Sequence, residues 1–157
     1  MKVYFARLIF IIFSIILAAL ILTNIIKQSN TKENYKTFII GEKTTSLDKN
    51  SIVFFFNPGC EHCEDEGEAL SANSGILKEK EILMVSLSPR DSIKEYARRH
   101  KLDQLPNIHF ATDSLAKLHM LYGVQTIPTT FIYGSDGKLR KRFNGEVSIK
   151  ALLRELR

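Results

Sequence analysis

The chain has 157 residues, 45% of them hydrophobic and 25% charged, with two cysteines and no tryptophan. This excludes a disordered or collagen-like chain and leaves room for one globular domain with an appendage. The net charge of +5 is unevenly placed: five Lys/Arg and one acid fall in residues 1–36, leaving seventeen bases and sixteen acids beyond them. The larger part therefore lacks the electrostatic footprint of a nucleic-acid binder.

After a basic segment, residues 1–7, residues 8–26 read LIFIIFSIILAALILTNII, nineteen positions without a charge. As a helix they reach roughly 28 Å, close to the hydrocarbon thickness of a bilayer. A core helix in so small a protein would keep a polar face. The stretch also exceeds a normal signal-peptide h-region and lacks a small-x-small site after it. The expectation is an uncleaved signal anchor, a single-pass transmembrane helix. Basic residues nearly balance on its two sides, so charge does not orient it. An N-terminal apolar segment is nevertheless a route into export, which puts the following domain on the extracytoplasmic side of the cell membrane. Residues 27–36, KQSNTKENYK, form a polar linker able to reach roughly 30 Å.

Residues 37–157 read as a domain of alternating strands and helices. Residues 37–40 are expected as an edge strand. The apolar run 51–57, stopped by Pro58 and Gly59, predicts a strand buried on both faces, and a helix follows Cys60. Residues 81–87 form a second such strand, with Ser88 as N-cap and Pro89 as first residue of a helix to about Lys101. Residues 107–111 are a short strand. Asp113 or Ser114 caps a helix that ends at Gly123. Strands at 129–133 and 138–143 flank Gly134, Ser135, Asp136 and Gly137 as a hairpin, and Ser148 opens a last helix. This order implies an α/β fold, a mixed sheet flanked by helices.

Cys60, Glu61, His62 and Cys63 place two thiols three apart where a strand turns into a helix. The helix N-terminus, with its free N–H groups and dipole, stabilises a thiolate at Cys60, and Cys63, one turn in, is near enough to close a disulfide. As a structural staple, a loop of about four residues would stabilise by only about 2 kcal/mol, less than a crosslink across the domain. As a metal clip the pair would need two further ligands from His62, His100, His109 or His119, which form no paired His motif. Redox exchange is the reading this context favours. The alternative function is a copper or zinc binding or delivery module using the CEHC loop.

FFFNPGCEHC, with TIPTTFIYGSDGKL further on, resembles the membrane-anchored thioredoxin-like proteins of the TlpA/ResA type over residues 45–157. The resemblance implies a thioredoxin-like fold and thiol-disulfide oxidoreductase activity without a bound cofactor. It assigns Cys60 as nucleophile, Cys63 as resolving thiol, Pro128 as a cis-proline beside them, and the backbone of Ile127 as a contact for an extended substrate. Its partners would be protein disulfide or dithiol substrates and an upstream electron donor. The chain departs from the family in two places. Gly59 replaces the tryptophan usual before the first cysteine, and Phe54 stands where classical thioredoxin has a buried aspartate, leaving the proton relay of Cys63 unassigned. A peroxiredoxin would have threonine where Asn57 stands. A copper chaperone of the Sco type would have wider cysteine spacing and a distal histidine, for which His109 and His119 are the candidates.

Glu61 and His62 tune the loop in opposite senses. A protonated His62 favours a neighbouring thiolate and an oxidising couple, whereas Glu61, with Glu64, Asp65, Glu66 and Glu68 close behind, disfavours it. Several acids against one histidine point to a reducing couple.

Overall fold

The computed structural model describes residues 7, 11–23, 37–40, 43–46 and 51–156. The chain divides into two compact units, Met1–Thr37 and Phe38–Arg157. In the first, residues 11–23 form an α-helix with exposed side chains, about 20 Å long at the standard helical rise. Among the described residues no helix is long and apolar enough to cross a membrane. The ends of the expected span, residues 8–10 and 24–26, lie outside the described residues, as does the expected linker 27–36.

Strands β1 (Thr37–Ile40) and β2 (Lys43–Ser46) form a two-stranded sheet of their own. The expected edge strand at 37–40 therefore exists but does not border the main sheet. Only two positions separate it from β2, and closing so short a loop costs the least entropy.

The main sheet has five strands in the order β5-β4-β3-β6-β7. They are β3 (Ser51–Phe55), β4 (Glu81–Ser86), β5 (Ile108–Thr112), β6 (Thr129–Tyr133) and β7 (Leu139–Asn144). β4 runs parallel to β3 and β5, and β6 runs antiparallel to β3 and β7. Ile52, Val53, Phe54 and Phe55 of β3 and Ile82, Leu83, Met84 and Val85 of β4 are at most 1% exposed, which is why both strands read as unbroken apolar runs. The helices are α1 (Glu61–Ala72), α2 (Ser74–Leu77), α3 (Arg90–Arg99), a 3₁₀ turn (Leu102–Gln104), α4 (Lys117–Tyr122) and α5 (Ile149–Glu155).

Two helix starts differ from expectation. Pro89 is the N-cap of α3, with ψ 148°, and Arg90 is its first residue. Ser88 does not cap it, because its hydroxyl donates to Asn57 Oδ1 at 3.0 Å. α4 begins at Lys117 rather than just after Asp113 or Ser114. Asp113 still serves that helix from a distance: its buried carboxylate accepts the backbone N–H of His119 at 2.9 Å and the His119 ring Nδ1 at 2.8 Å. Gly123 ends α4 with φ 60°, and Ser148 caps α5 by accepting the N–H of Ala151.

The topology gathers one edge of the sheet. The C-terminal ends of β3, β4, β5 and β7 and the N-terminal end of β6 meet there, so the loops carrying Cys60, Ser88, Asp113, Pro128 and Gly145 share that edge.

Candidate active site

β3 hands the chain to α1 through a tight turn. Cys60 N–H donates to Asn57 O at 3.1 Å, Pro58 follows Asn57, and Gly59 has φ +88°. This is the signature of a type II turn, with proline at its second position and a residue of positive φ at its third. A Cβ built on Gly59 would meet nothing within 4 Å, so the glycine answers to backbone conformation and not to crowding. A tryptophan at this position would strain the turn, which gives the departure from the family pattern a physical reason.

Cys60 is the N-cap of α1, and its carbonyl accepts from the N–H groups of Cys63 and Glu64, both at 2.9 Å. The two cysteines come within 3.2 Å of each other. They are unlike in access: Cys60 is partly exposed and Cys63 is buried. Burial pushes the Cys63 thiol well up, a backbone hydrogen bond from Asn57 opposes this, and Cys60 and Glu66 add to the rise. The Cys63 carbonyl accepts the Tyr96 hydroxyl at 2.6 Å, which ties α3 to α1 at the second thiol.

Glu66 is the residue that sequence reasoning missed. The sequence shows it only as one of several acids close to Cys60, yet it is 4% exposed. Burial pushes its carboxyl up to about 7, with Glu146 adding and the Val147 N–H and His62 opposing. Among the described residues its one hydrogen bond comes from that Val147 N–H at 3.0 Å. The signal was present in the spacing, since Cys63, Glu66, Gly67 and Leu70 form the buried stripe of α1 at the period of a packed helix face. Phe54 stays in the core, so the buried carboxylate of this site comes from α1 instead of from β3.

Glu64 is also not a free surface charge. It accepts from the Gly59 N–H at 3.0 Å, Arg99 Nη2 at 2.8 Å and Nε at 3.1 Å, and pairs with His100 Nε2 at 2.7 Å. Burial pushes its carboxyl up, but these donors outweigh it and hold it below the usual carboxylate range. Its charge is thus largely answered by α3, and it anchors the turn in front of Cys60. Glu61, Asp65 and Glu68 remain exposed. His62 is exposed, with Nδ1 3.0 Å from Glu146 Oε2.

The Ile127–Pro128 peptide bond is cis. Thr129 pairs with Phe55 across the ladder, so Pro128 stands at the end of β3 from which the Cys60 turn springs. Ile127 is half-buried, and its backbone has no hydrogen bond to the described residues. Three successive residues after β7 complete the site. The Gly145 N–H donates to Pro128 O at 2.8 Å, Glu146 holds His62, and the Val147 N–H donates to Glu66. The sequence reading passed from the strand ending at Phe143 to Ser148 without assigning these positions.

Among the described residues, the one group of three potential metal ligands is His62, Asp65 and Glu146, which contains neither cysteine. His109 is paired with Glu81 at 2.9 Å and His119 with Asp113 at 2.8 Å, so neither candidate distal histidine joins the thiols. Asn57, at the place of the peroxiredoxin threonine, accepts the Ser88 hydroxyl.

Residues 29–142 match the sequence model of the AhpC/TSA family. No curated protein matches the chain. Among solved structures, a secreted disulfide oxidoreductase of Mycobacterium tuberculosis homologous to E. coli DsbE aligns with TM-score 0.65 and 16% identity, over 76% of this chain and 92% of that one. StoA from Bacillus subtilis aligns with TM-score 0.62 and 18% identity, over 77% and 96%. A putative thioredoxin from Neisseria meningitidis aligns with TM-score 0.61 and 25% identity, over 76% and 83%. The fold is thioredoxin-like, a mixed sheet with flanking helices.

Proposed function

Because the chain belongs to the AhpC/TSA family and is a thioredoxin-like thiol-disulfide oxidoreductase, we propose that it acts as a membrane-tethered reductant of protein disulfides in the cell envelope, of the TlpA/ResA type. The observation that carries the thiol chemistry is the unequal pair: a partly exposed Cys60 within 3.2 Å of a buried Cys63. Only the first can meet an external disulfide, and only the second is shielded from one.

The reaction runs in two exchanges. The Cys60 thiolate attacks one sulfur of a substrate disulfide, that S–S bond breaks, and the other substrate sulfur leaves as a thiolate. The Cys63 thiol gives its proton to the Glu66 carboxylate and attacks the Cys60 sulfur, expelling the second substrate thiolate. Two electrons have then passed to the substrate, and the Cys60–Cys63 disulfide awaits an upstream electron donor. A carboxyl at about 7 suits a group that must take and return a proton near neutrality. The substrate strand would align on the open backbone of Ile127, beside a proline that has no N–H to compete.

The reducing direction is supported by the excess of acids over bases around the loop: Glu61, Asp65 and Glu68 are exposed there, and Glu146 stands against His62. The tether is supported by the nineteen uncharged residues 8–26, with residues 27–36 as linker and 37–157 as the extracytoplasmic domain. For the thiol roles, Cys60→Ser should abolish insulin reduction, and Cys63→Ser should accumulate mixed disulfides on non-reducing gels. Equal, undiminished activity of both variants would refute the assignment.

A further inference from the structure

Away from the thiols, a groove of about 710 Å³ runs between α3 and the edge strand β5, with Arg90, Lys94 and Arg98 on one wall and His109, Phe110 and Thr112 on the other. The three bases are spaced i, i+4, i+8, which puts them on one stripe of the helix. Arg90 and Arg98 have no carboxylate partner among the described residues, and Lys94 reaches only the exposed Asp91 at 3.8 Å. Arg90 is moreover the first residue of α3, where the helix dipole disfavours a cation. Asp103 is the single acid among the described residues that line the groove.

The opposite wall is an open sheet edge. Among the described residues β5 pairs with β4 alone. Asn107 O accepts from the Ile82 N–H, and the Asp113 N–H donates to Ser86 O, which fixes the parity of the parallel ladder. The N–H and C=O groups of Phe110 and Thr112 therefore face away from β4. Such a row is a template for another strand.

We propose that this groove is a docking site for an extended acidic segment of a protein partner, added as a sixth strand along β5 with carboxylates on alternate residues set against Arg90, Lys94 and Arg98. The repeat distances agree: four helical residues rise about 6 Å, and two strand residues advance about 6.6 Å. A second copy of this chain is the wrong occupant, because it would bring the same bases to the same edge. The open backbone row selects a polypeptide over a phosphate chain or a lipid headgroup, neither of which has amides to pair with it. The three bases are separate from the thiol chemistry: Lys94 pairs with Asp91, and the partners of Cys63, Glu64 and Glu66 are Tyr96, Gly59, Arg99, His100 and Val147.

The test uses the full chain and a fluorescein-labelled peptide of alternating threonine and glutamate, read by fluorescence anisotropy. The expected result is saturable binding that weakens with salt, weakens at least tenfold in Arg90→Glu/Lys94→Glu/Arg98→Glu, and is lost when alternate peptide amides are N-methylated. The charge-reversed variant should keep insulin reduction, which shows that it has folded. Equal binding of a threonine–lysine peptide, or no change in the charge-reversed variant, would overturn the proposal. Undiminished binding of the N-methylated peptide would overturn strand addition. Binding of anionic phospholipid vesicles or a single-stranded oligonucleotide, without binding of the peptide, would likewise overturn it.

Discussion

Glu66 sits in the core, where the Val147 N–H donates to it, and its ionised form is what burial penalises. The sign of its effect on stability follows from its raised carboxyl, about 7 in the fold against an ordinary 4.5. Between those values the folded chain holds a proton that the unfolded chain has released, so stability falls as pH rises through that window. The loss above it is about 3 kcal/mol. Glu66→Gln keeps an acceptor for the Val147 N–H and removes the charge. It should match the parent in urea unfolding at pH 5 and exceed it at pH 8, while its mixed disulfides resolve at least about tenfold more slowly. A variant with unaltered resolution would remove Glu66 from the proton path. Reading the sequence by charge alone weighs this residue and Glu64 equally with Glu61, Asp65 and Glu68. Which carboxylate turns inward depends on the rotation of α1 about Cys63, and which one finds hydrogen-bonding partners depends on Arg99 and His100, distant in sequence.

At the scale of elements, α1 and α3 approach closely at Gly67. A Cβ there would press on the Tyr96 hydroxyl and lie 2.9 Å from Tyr96 Cζ and 3.0 Å from His100 Cδ2. Intrinsic helix propensity favours alanine over glycine by about 1 kcal/mol, whereas overpacking costs about 1–3 kcal/mol. Gly67→Ala should therefore lower the thermal midpoint and weaken insulin reduction, because the displaced Tyr96 also holds the Cys63 carbonyl. A higher midpoint would mean that the helices can separate freely. The strands of the core were legible because burial on both faces leaves an unbroken apolar run, as in β3 and β4. The helix starts were less so. Ser88 had a competing partner in Asn57, and Asp113 reached His119 over six residues, choices that local propensity does not decide. The separate β1–β2 sheet was likewise invisible to a reading that assigns strands without their partners.

For the whole molecule, the helix–sheet alternation and the hairpin were enough to anticipate a mixed sheet flanked by helices, because the order of elements limits the sheets that can be built, while the thioredoxin-like fold was anticipated from the resemblance carried by FFFNPGCEHC and TIPTTFIYGSDGKL. The loop at residues 145–147 was not anticipated: its role lies in backbone N–H groups, which every sequence has. The proposed tether makes its prediction at this scale. The full chain should sediment with membranes and resist a high-salt wash, residues 37–157 alone should be soluble, and protease added to spheroplasts should digest the domain. Protection until lysis would place the domain inside.

Tyr96 also makes the redox state of this protein optically visible. The chain has five tyrosines and no tryptophan, so its ultraviolet emission is tyrosine emission, unmasked by an indole. One of those rings rests its hydroxyl on the backbone of Cys63, the thiol proposed to close the disulfide with Cys60, and a disulfide is an efficient quencher of a nearby phenol. Oxidation of the full chain should dim its fluorescence near 300 nm by about one emitter in five, a change that Tyr96→Phe should abolish. The couple can then be titrated against glutathione in a cuvette, with no label attached.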